Sequence, residues 1–330
     1  MEIPRHEIVE CVHRWGGNSV VESLLDPSCL IFSIPNVQGF MGYRENRGCA
    51  VVFGDPVCSP ADRDRLVEAF HAFCEKNKKN VVYLVASEEF ACGMRDTQRS
   101  ALIPFGEELF LDPQRDPKTL SGKRGISLRG KLRHAAKIGL CVSEYRGEAP
   151  ELERKIQDVA AAWLQHRSGP QIYISRVRLF SERFGKRWFY VHQGDQLLGG
   201  LVLNQLQAKG GWALDRVMTV PDAPQGTSEL LVATVLEKIA HEGCRFLTFG
   251  AINGDMLGGI SGFGKMTSFM THHMYKASIK FFNLQGKRKF WEKFYPQSAP
   301  AFLIFKKPRL GYYEVRGLMH ALNVSLPLKF

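Results

Sequence analysis

The sequence predicts an α/β protein built from two units of similar construction, and three observations lead to this fold class. The 330 residues exceed what one hydrophobic core comfortably holds, so two domains are expected. Apolar runs of strand length alternate with helical patterns in the first half. In the second half a hairpin and a third strand precede a helix and another strand. We expect units at residues 1–120 and 141–330, joined by a basic helix at 121–140.

The first unit begins with buried strands and a well-marked helix. Residues 48–53 form an apolar run that ends at the turn Gly54-Asp55-Pro56. Residues 59–62 combine an N-cap serine, a proline at the first helical position and a carboxylate two residues later, which predicts a helix start. The next apolar runs, at 81–86 and 109–111, are predicted as strands, and the second of these precedes the basic helix.

The second unit has the order of an antiparallel meander, a helix and a strand. The turn Gly194-Asp195 joins two alternating runs, which predicts a β-hairpin. The predicted elements are a helix at 151–166, strands at 188–192, 197–205 and 212–220, a helix at 228–242 and a strand at 245–250. This is the core order of GNAT-type acyltransferases, so the expected fold class is α/β (α+β) with tandem GNAT-like domains.

Positive charge is concentrated in two segments. Residues 118–143 hold seven Lys/Arg and no carboxylate, and residues 276–309 hold nine Lys/Arg against one carboxylate. Because these segments together carry more positive charge than the net +11 of the whole chain, the excess is local. A localised basic patch indicates a polyanionic partner, either nucleic acid or an anionic lipid surface.

The first basic segment is predicted to be helical from Ser127, with Gly139 closing it as a C-cap. Arg129, Arg133 and Lys137 stand at successive i,i+4 positions and form one cationic row, in which like charges repel. We therefore expect the row, together with Lys123, to bind phosphate groups of a substrate. The alternative is a solvated basic face on a surface helix.

Other classes of protein are disfavoured. No apolar run reaches the 18 or more residues that span a bilayer, and the N-terminal residues lack a signal-peptide pattern, so a cytoplasmic chain is expected. The eight cysteines occur singly, without CxxC pairs or nearby histidine clusters. We expect reduced core cysteines, with neither disulfides nor a metal site.

The loop after the third strand of the second unit bears on the acyl donor. GNAT-type enzymes usually hold coenzyme A there, on glycine-rich backbone amides at a helix N-terminus. Residues 221–227 read PDAPQGT, so two prolines remove amide donors and Asp222 repels phosphate. The loop argues against a coenzyme A donor.

Several segments together resemble one family, the C-terminal catalytic domain of phosphatidylglycerol lysyltransferases (multiple peptide resistance factor). The matching pieces are GGNS at 16–19, AVVFGDP at 50–56, GEELF at 106–110, residues 121–140, Leu214-Asp215, PDAPQG at 221–226, FLTFGA at 246–251 and NLQGKRKFWEKFYP at 283–296. The resemblance implies transfer of an aminoacyl group from charged tRNA to an acceptor hydroxyl, typically that of phosphatidylglycerol. It implies no cofactor besides aminoacyl-tRNA. Family members usually carry a multi-helix membrane domain upstream.

The resemblance also suggests catalytic residues. Asp215 matches the strand aspartate of the family and lies among apolar residues, where an idle carboxylate would be costly. We assign it as the base or as the group that orients the acceptor; the alternative is a salt-bridged structural aspartate. The family has an arginine where this chain has Met218. Arg216, displaced by roughly 6–7 Å along the strand, partly replaces that cation, and phosphatidylglycerol is therefore in doubt as the acceptor.

Two further groups of residues are assigned to substrate binding. Glu107 and Glu108 are expected to shape a pocket for the aminoacyl group, with a strand-edge cap as the alternative. The second basic segment matches the family's basic stretch and is expected to hold tRNA through Lys287, Arg288, Lys289 and Lys293, with aromatic residues interleaved. The alternative is a basic helix that packs its aromatic side inward. The tail at 312–330 is expected to form a helix and a strand that complete the second unit, with contact to a membrane as the alternative.

The leading hypothesis is a soluble, cytoplasmic, tRNA-dependent aminoacyltransferase, with peripheral contact to the inner membrane face if its acceptor is an anionic phospholipid. Two alternatives stay open: a coenzyme A-dependent acyltransferase of the same fold, and a non-catalytic RNA- or lipid-binding protein. The sequence leaves open which amino acid is transferred, which molecule accepts it, and whether the chain forms oligomers.

Overall fold

A computed structural model describes residues 3–98, 100–147, 149–166, 173, 177, 179–254, 257–282 and 285–324. The elements of the first half are α1 (Arg5–Trp15), a 3₁₀ helix (Val21–Leu25), β1 (Leu30–Phe32), β2 (Gly39–Asn46), β3 (Cys49–Phe53), β4 (Val57–Cys58), α2 (Arg63–Lys76), β5 (Asn80–Ala86), α3 (Glu88–Gln98), β6 (Ala101–Leu111) and α4 (Gly122–Lys137).

The second half continues the alternation of strands and helices. Its elements are β7 (Cys141–Tyr145), α5 (Pro150–Gln165), β8 (Lys186–Gln193), β9 (Gln196–Leu206), β10 (Gly211–Thr219), α6 (Thr227–His241), β11 (Leu247–Asn253), α7 (Lys265–Phe282), α8 (Gln285–Trp291), β12 (Gln297–Phe305) and α9 (Tyr312–Ala321). None of the helices in the described ranges is both long enough and apolar enough to cross a bilayer.

The described strands form one mixed sheet in the order β1-β2-β3-β5-β12-β6-β11-β10-β9-β8-β7, with β4 paired to β2. In each half, antiparallel strands lead through a helix to a parallel neighbour: β2, β3, α2 and β5 in the first half, and β9, β10, α6 and β11 in the second. This confirms the predicted α/β fold with two GNAT-like units. The division at 1–120, 121–140 and 141–330 stays a prediction.

Two strands at the centre of the sheet lie away from their neighbours in sequence. β12 pairs with β5 on one side and with β6 on the other, and β6 also pairs with β11. The strand predicted at 109–111 is therefore only the end of an eleven-residue strand. Its earlier residues, which include Pro104 and Gly106, pair along β12, and this long-range pairing overrides their poor strand propensity.

The end of α4 follows local sequence signals more closely than the central strands do. α4 begins at Gly122 rather than at Ser127, and it ends as predicted, with Gly139 in the left-handed conformation (φ 76°).

α9 packs against β2 and β3, and its Gly317 lies against Cys49 of β3. The prediction that the tail completes the second unit is therefore wrong for this helix. Residues 325–330 lie outside the described part.

Helices cover both faces of the sheet, and most of the cysteines are buried or half-buried in the protein. Cys11, Cys29, Cys49, Cys58 and Cys74 are buried, as expected of core residues. Cys92 and Cys244 are half-buried, whereas Cys141 is exposed at the start of β7. The expectation of a core role therefore fails for Cys141.

A buried ion pair joins the two units. The ammonium group of Lys186, which has no exposed side-chain surface, contacts the carboxylate of Glu22 in the 3₁₀ helix of the first half. An ammonium group without water around it needs such a partner. The pair therefore fixes the start of β8 against the first unit.

Candidate active site

Segments that are distant in sequence meet around one carboxylate, Glu108 of β6. The Ser19 N–H donates to Glu108 Oε1 at 3.2 Å, and the Thr248 hydroxyl of β11 donates to the same oxygen at 2.9 Å. The negative charge of Asp55, in the turn after β3, also acts on Glu108. We call Ser19, Asp55, Glu108 and Thr248 the central site.

The central site lies beyond the carboxyl ends of the parallel strands β3 and β5. Asp55 follows β3, and its Oδ1 accepts a hydrogen bond of 2.8 Å from the N–H of Ser87, which follows β5. Asn18 ties the GGNS segment to the same edge, because its Nδ2 donates to the Val85 carbonyl at 3.2 Å. The carboxyl ends of parallel strands are where α/β proteins commonly bind ligands.

Val85 itself adopts a conformation that is rare for its residue type. Its φ is 62°, in the left-handed region that β-branched residues seldom enter. Such a conformation costs on the order of 1–3 kcal/mol and is found most often at functional sites. The hydrogen bond from Asn18 to the Val85 carbonyl helps to hold it.

The sheet opens next to the central site. The parallel strands β10 and β11 pair only at Trp212–Leu247 and Ala213–Thr248. β10 has a bulge between Leu214 and Arg216, and β11 has a register shift between Thr248 and Gly250. Bulges re-aim side chains and end strand pairing, and they are frequent beside active sites. Here the two irregularities separate β10 from β11.

Glycine is required on the β11 side of this opening. Gly250 has φ 85°, and a Cβ there would lie 3.2 Å from the Ser19 hydroxyl oxygen. The same hydroxyl accepts a 3.3 Å hydrogen bond from the Ala251 N–H. The GGNS segment is therefore held directly over the edge of the opening.

Both carboxylates of the central site are harder to ionise than usual. Burial raises the pKa of Glu108 from 4.5 to about 7, although the hydrogen bonds from Thr248 and Ser19 oppose the rise. Burial also raises the pKa of Asp55, against the hydrogen bonds from Ser87. A site with these properties favours a bound cation, and Glu108 can exchange a proton near neutral pH.

Asp215 and Arg216, the predicted catalytic residues, lie together in the β10 bulge. Arg216 Nη1 contacts Asp215 Oδ1 at 2.6 Å, and the two side chains are only 15% and 12% exposed. Asp215 comes two residues after Ala213, which is paired with Thr248. β10 and β6 are separated by one strand, and β10 no longer pairs with β11 at Asp215, so the backbones of Asp215 and Glu108 lie at least roughly 10 Å apart.

Met218 is buried and belongs to a core cluster with Ile156 and Val202 under α5. A charged guanidinium would be costly in that apolar cluster. The arginine that the resemblance leads one to expect at this position therefore has no simple place in this chain.

Glu107 and Glu108 lie on opposite faces of the sheet, as adjacent residues in a strand do. Glu107 Oε2 accepts a 3.1 Å contact from Arg288 of α8, on the face that α4 and α8 cover. Glu108 faces the GGNS segment. The structure therefore brings only Glu108 of this pair into the central site. Arg288, assigned above to tRNA, is ion-paired with Glu107 instead.

The cationic row on α4 is divided between structural and exposed members. Arg129 Nη1 donates to the Lys118 and Leu120 carbonyls at 2.9 and 2.8 Å, so it anchors the loop before the helix. Arg133, Lys137 and Lys123 are exposed. These three side chains are available to a ligand.

The second basic segment packs directly against the first. The Tyr295 hydroxyl donates to the Ser121 carbonyl at 2.7 Å and accepts from the Gly125 N–H at 3.1 Å. Lys289 is exposed, and the side chain of Lys287 lies outside the described part. We call Lys123, Arg133, Lys137 and Lys289 the basic surface.

Lys293 instead forms a charge cluster with α4 and α6 around the buried carboxylate of Glu229. Lys293 Nζ and Lys131 Nζ each contact Glu229 Oε1 at 2.7 Å. Burial alone would raise the pKa of Glu229, but the hydrogen bonds from the two lysines lower it overall. Lys293, assigned above to tRNA, is thus engaged within the protein.

This cluster covers the N-terminus of α6, where a GNAT-type enzyme would hold the pyrophosphate of coenzyme A. Glu229 occupies the first turn of α6. A Cβ at Gly226 would lie 2.5 Å from the Lys131 carbonyl oxygen of α4. A carboxylate and a packed helix therefore stand where the phosphates would bind.

Sequence reasoning assigned no role to Asn18, Ser19, Asp55 or Thr248. These residues lie in three of the segments that carry the family resemblance, at 16–19, 50–56 and 246–251. That resemblance was the signal that could have identified them. Within the described ranges, no three His, Cys, Asp or Glu side chains are grouped as a metal site would require.

Comparison with known proteins gives a consistent result. The family model described as "Phosphatidylglycerol lysyltransferase, C-terminal" matches residues 23–305. The phosphatidylglycerol lysyltransferase of Staphylococcus aureus (strain MSSA476) is 19% identical over 95% of this chain and 37% of its own length. The chain thus spans little more than a third of the length of that relative.

Solved structures share the fold. L-PGS from Bacillus licheniformis superimposes with a TM-score of 0.77 at 16% identity, covering 97% of this chain and 98% of the other. The C-terminal domain (DUF2156) of an Agrobacterium fabrum protein gives the same TM-score and identity, with 98% of both chains covered. FemX is a more distant neighbour, with a TM-score of 0.57 at 9% identity over 92% of this chain and 96% of the other.

Proposed function

The chain belongs to the phosphatidylglycerol lysyltransferase C-terminal family, and from this membership we propose that it transfers an aminoacyl group from charged tRNA to an acceptor hydroxyl. The observation that carries the proposal is the half-buried carboxylate Glu108, whose pKa is raised and which lies on β6 next to β11, near Asp55. An aminoacyl ester supplies what such a site lacks, namely a positive charge.

Glu108 and Asp55 bind the ammonium group of the aminoacyl ester. Each carboxylate is disfavoured in its ionised form by burial, and an ammonium group between them would reverse that preference for both. The ester carbonyl lies one carbon from the α-amino group. Binding the ammonium group at Glu108 therefore directs the carbonyl toward the opening.

Asp215 acts on the acceptor from the far side of the opening. The two backbones lie at least roughly 10 Å apart, which leaves room for an aminoacyl group held at Glu108 and a hydroxyl held at Asp215. Asp215 orients the hydroxyl and takes its proton as the oxygen attacks the ester carbonyl. Arg216, ion-paired with Asp215 at 2.6 Å, fixes that carboxylate in place.

The chemical step needs no further activation. The acceptor oxygen bonds to the carbonyl carbon, and the bond from that carbon to the terminal ribose oxygen of tRNA breaks. The departing ribose oxygen takes up the proton that Asp215 received. Because the aminoacyl ester is already activated, these residues need only orient the groups and move one proton.

The basic surface on α4 and α8 binds the tRNA. Its exposed cations lie on elements that cover the sheet face opposite the GGNS segment. The opening between β10 and β11 gives the aminoacylated end of the tRNA a path to Glu108. The phosphate contacts hold the nucleic acid without reading its sequence.

Phosphatidylglycerol is the first acceptor to test, because the curated relative is named for it. A protein acting on it would work at the membrane surface, from the cytoplasmic side where charged tRNA is found. The buried Met218 cannot supply the expected cation, and Arg216 is ion-paired with Asp215, so soluble hydroxyl and amine acceptors belong in the same experiment.

The test supplies tRNAs charged with each of the twenty labelled amino acids, with and without phosphatidylglycerol vesicles. Label in an organic-soluble product, or on a soluble acceptor, supports the proposal. Protection of charged tRNA without transfer would instead indicate a binding protein. Transfer of label from acetyl-coenzyme A would indicate the coenzyme A-dependent alternative, which the covered α6 N-terminus disfavours.

A further inference from the structure

A polar cavity lies at the opposite end of β5 from the central site. It has a volume of about 600 Å³, and its lining includes the cations Arg47, Lys78, Lys79, Lys307 and Arg309 against one carboxylate, Glu75. β5 begins at this cavity with Asn80, and Asp55 lies beyond its other end. Six strand steps separate the two sites by roughly 20 Å, so the cavity is separate from the proposed reaction.

One cation of this cavity is held in position by a buried network. Glu314 of α9 is 3% exposed and accepts a 2.7 Å hydrogen bond from Asn80 Nδ2. Arg309 Nη2 donates to Asn80 Oδ1 at 3.3 Å, and Arg309 Nε lies 3.9 Å from Glu314. Arg309 remains 62% exposed. Asn80 and Glu314 therefore orient the guanidinium of Arg309, and its exposed side faces the cavity.

The remaining cations differ in their availability. Lys79 is ion-paired with Glu45. Arg47, Lys78 and Lys307 are exposed, and no ion pair involving them occurs in the described ranges. Like charges brought together from three separate segments repel one another. Their repulsion is relieved when an anion with more than one negative charge binds among them.

An aromatic ring forms one wall of the cavity. Tyr313 is 53% exposed, and it lies against Gly48, where an added Cβ would be 3.2 Å from the ring. The absence of a side chain at Gly48 lets the ring rest on the backbone. An exposed, supported ring beside cations is the arrangement on which nucleic-acid bases stack.

We propose that this cavity binds a nucleoside polyphosphate, with the phosphates on Arg309, Lys307 and their neighbours and the base on Tyr313. The volume is in the usual range for small-molecule sites. A concave pocket of this size suits a mononucleotide better than the broad surface of an RNA duplex or a bilayer. The proposal does not depend on the transfer reaction.

The test measures the binding of ATP to the whole chain by calorimetry. We expect saturable binding, and a shift to weaker binding of roughly ten-fold or more when Lys307 and Arg309 are both changed to Glu. Tyr313→Ala should weaken the binding of ATP by roughly five-fold or more, because stacking on the ring is lost. The same change should leave the binding of inorganic tripolyphosphate unaffected. Lys155→Glu, a charge reversal on α5, serves as the control and should bind ATP normally.

Three outcomes would overturn the assignment. ATP binding that survives the double charge reversal would place the nucleotide elsewhere. Equal affinities for ATP and tripolyphosphate would show that the base contributes nothing to binding at this site. Binding of a single-stranded RNA oligonucleotide or of phosphatidylglycerol vesicles through Lys307 and Arg309, without ATP binding, would identify a macromolecular surface instead. Thermal unfolding of each variant separates lost binding from lost folding.

Discussion

Replacing Glu108 with Gln should make the protein more stable at alkaline pH. The side chain keeps its size and an oxygen that can accept from Ser19 and Thr248, but it no longer ionises. In the wild-type protein the pKa of Glu108 rises from 4.5 to about 7 on folding. At 1.36 kcal/mol per pH unit, ionised Glu108 lowers the free energy of unfolding by about 3 kcal/mol.

The sign of the pH dependence follows from linkage. Below pH 4.5 the carboxyl group is protonated in both states and costs nothing. Between pH 4.5 and 7 the unfolded chain ionises first, so the wild-type protein loses stability as pH rises. Glu108→Gln should therefore match the wild-type protein near pH 4.5 and exceed its stability by about 3 kcal/mol at pH 8.

Urea denaturation of both proteins between pH 4.5 and pH 8 measures this difference. Asp55, whose pKa is also raised by burial, contributes to both curves and largely cancels in their difference. Glu107→Gln makes the same chemical change on the opposite face of the sheet and serves as the control. Parallel curves for the wild-type protein and Glu108→Gln would refute the idea that the surroundings of Glu108 resist its negative charge.

Three further changes test other parts of the structure. Lys186→Ala should cost about 3–5 kcal/mol because it removes the ammonium partner of the buried Glu22 carboxylate, and Lys186→Met with Glu22→Leu should recover most of it; equal urea midpoints for the wild-type protein and Lys186→Ala would contradict this. Glu substitutions at Lys123, Arg133 and Lys137 should weaken tRNA binding and flatten its salt dependence, and a salt-insensitive interaction would exclude the basic surface. Asp215→Asn should abolish transfer while tRNA binding is kept, with the exposed Asp195→Asn as the control, and full activity of Asp215→Asn would end its assignment as the base.

Features set by neighbouring residues could be predicted from the sequence. The end of α4 at Gly139 and the hairpin of β8 and β9 depend on local periodicity and turn residues. The insertion of β12 between β5 and β6 could not be predicted in this way, because it joins strands from opposite ends of the chain. The docking of α9 on the first unit has the same cause.

The candidate site shows the same division. Asp215 and Glu108 could be chosen by residue type and resemblance. The raised pKa of Glu108 could not be predicted, because it depends on burial, and burial arises only when the fold brings distant segments together. Ser19, whose N–H donates to Glu108, is 89 residues away in sequence. The basic segments were visible as charge, but their internal partners were not. Glu229 engages Lys293 from a helix in another segment.

Proton release on binding tests the proposed ammonium site most directly. The ligand is an amide-linked aminoacyl-adenosine, which resists hydrolysis, with the lysyl compound first. At pH 6, Glu108 is mostly protonated and should lose about one proton when the ammonium group binds. Calorimetry in two buffers of different ionisation enthalpy should show this release for the wild-type protein and not for Glu108→Gln. Equal proton release from both proteins, or none from either, would contradict the proposed role of Glu108.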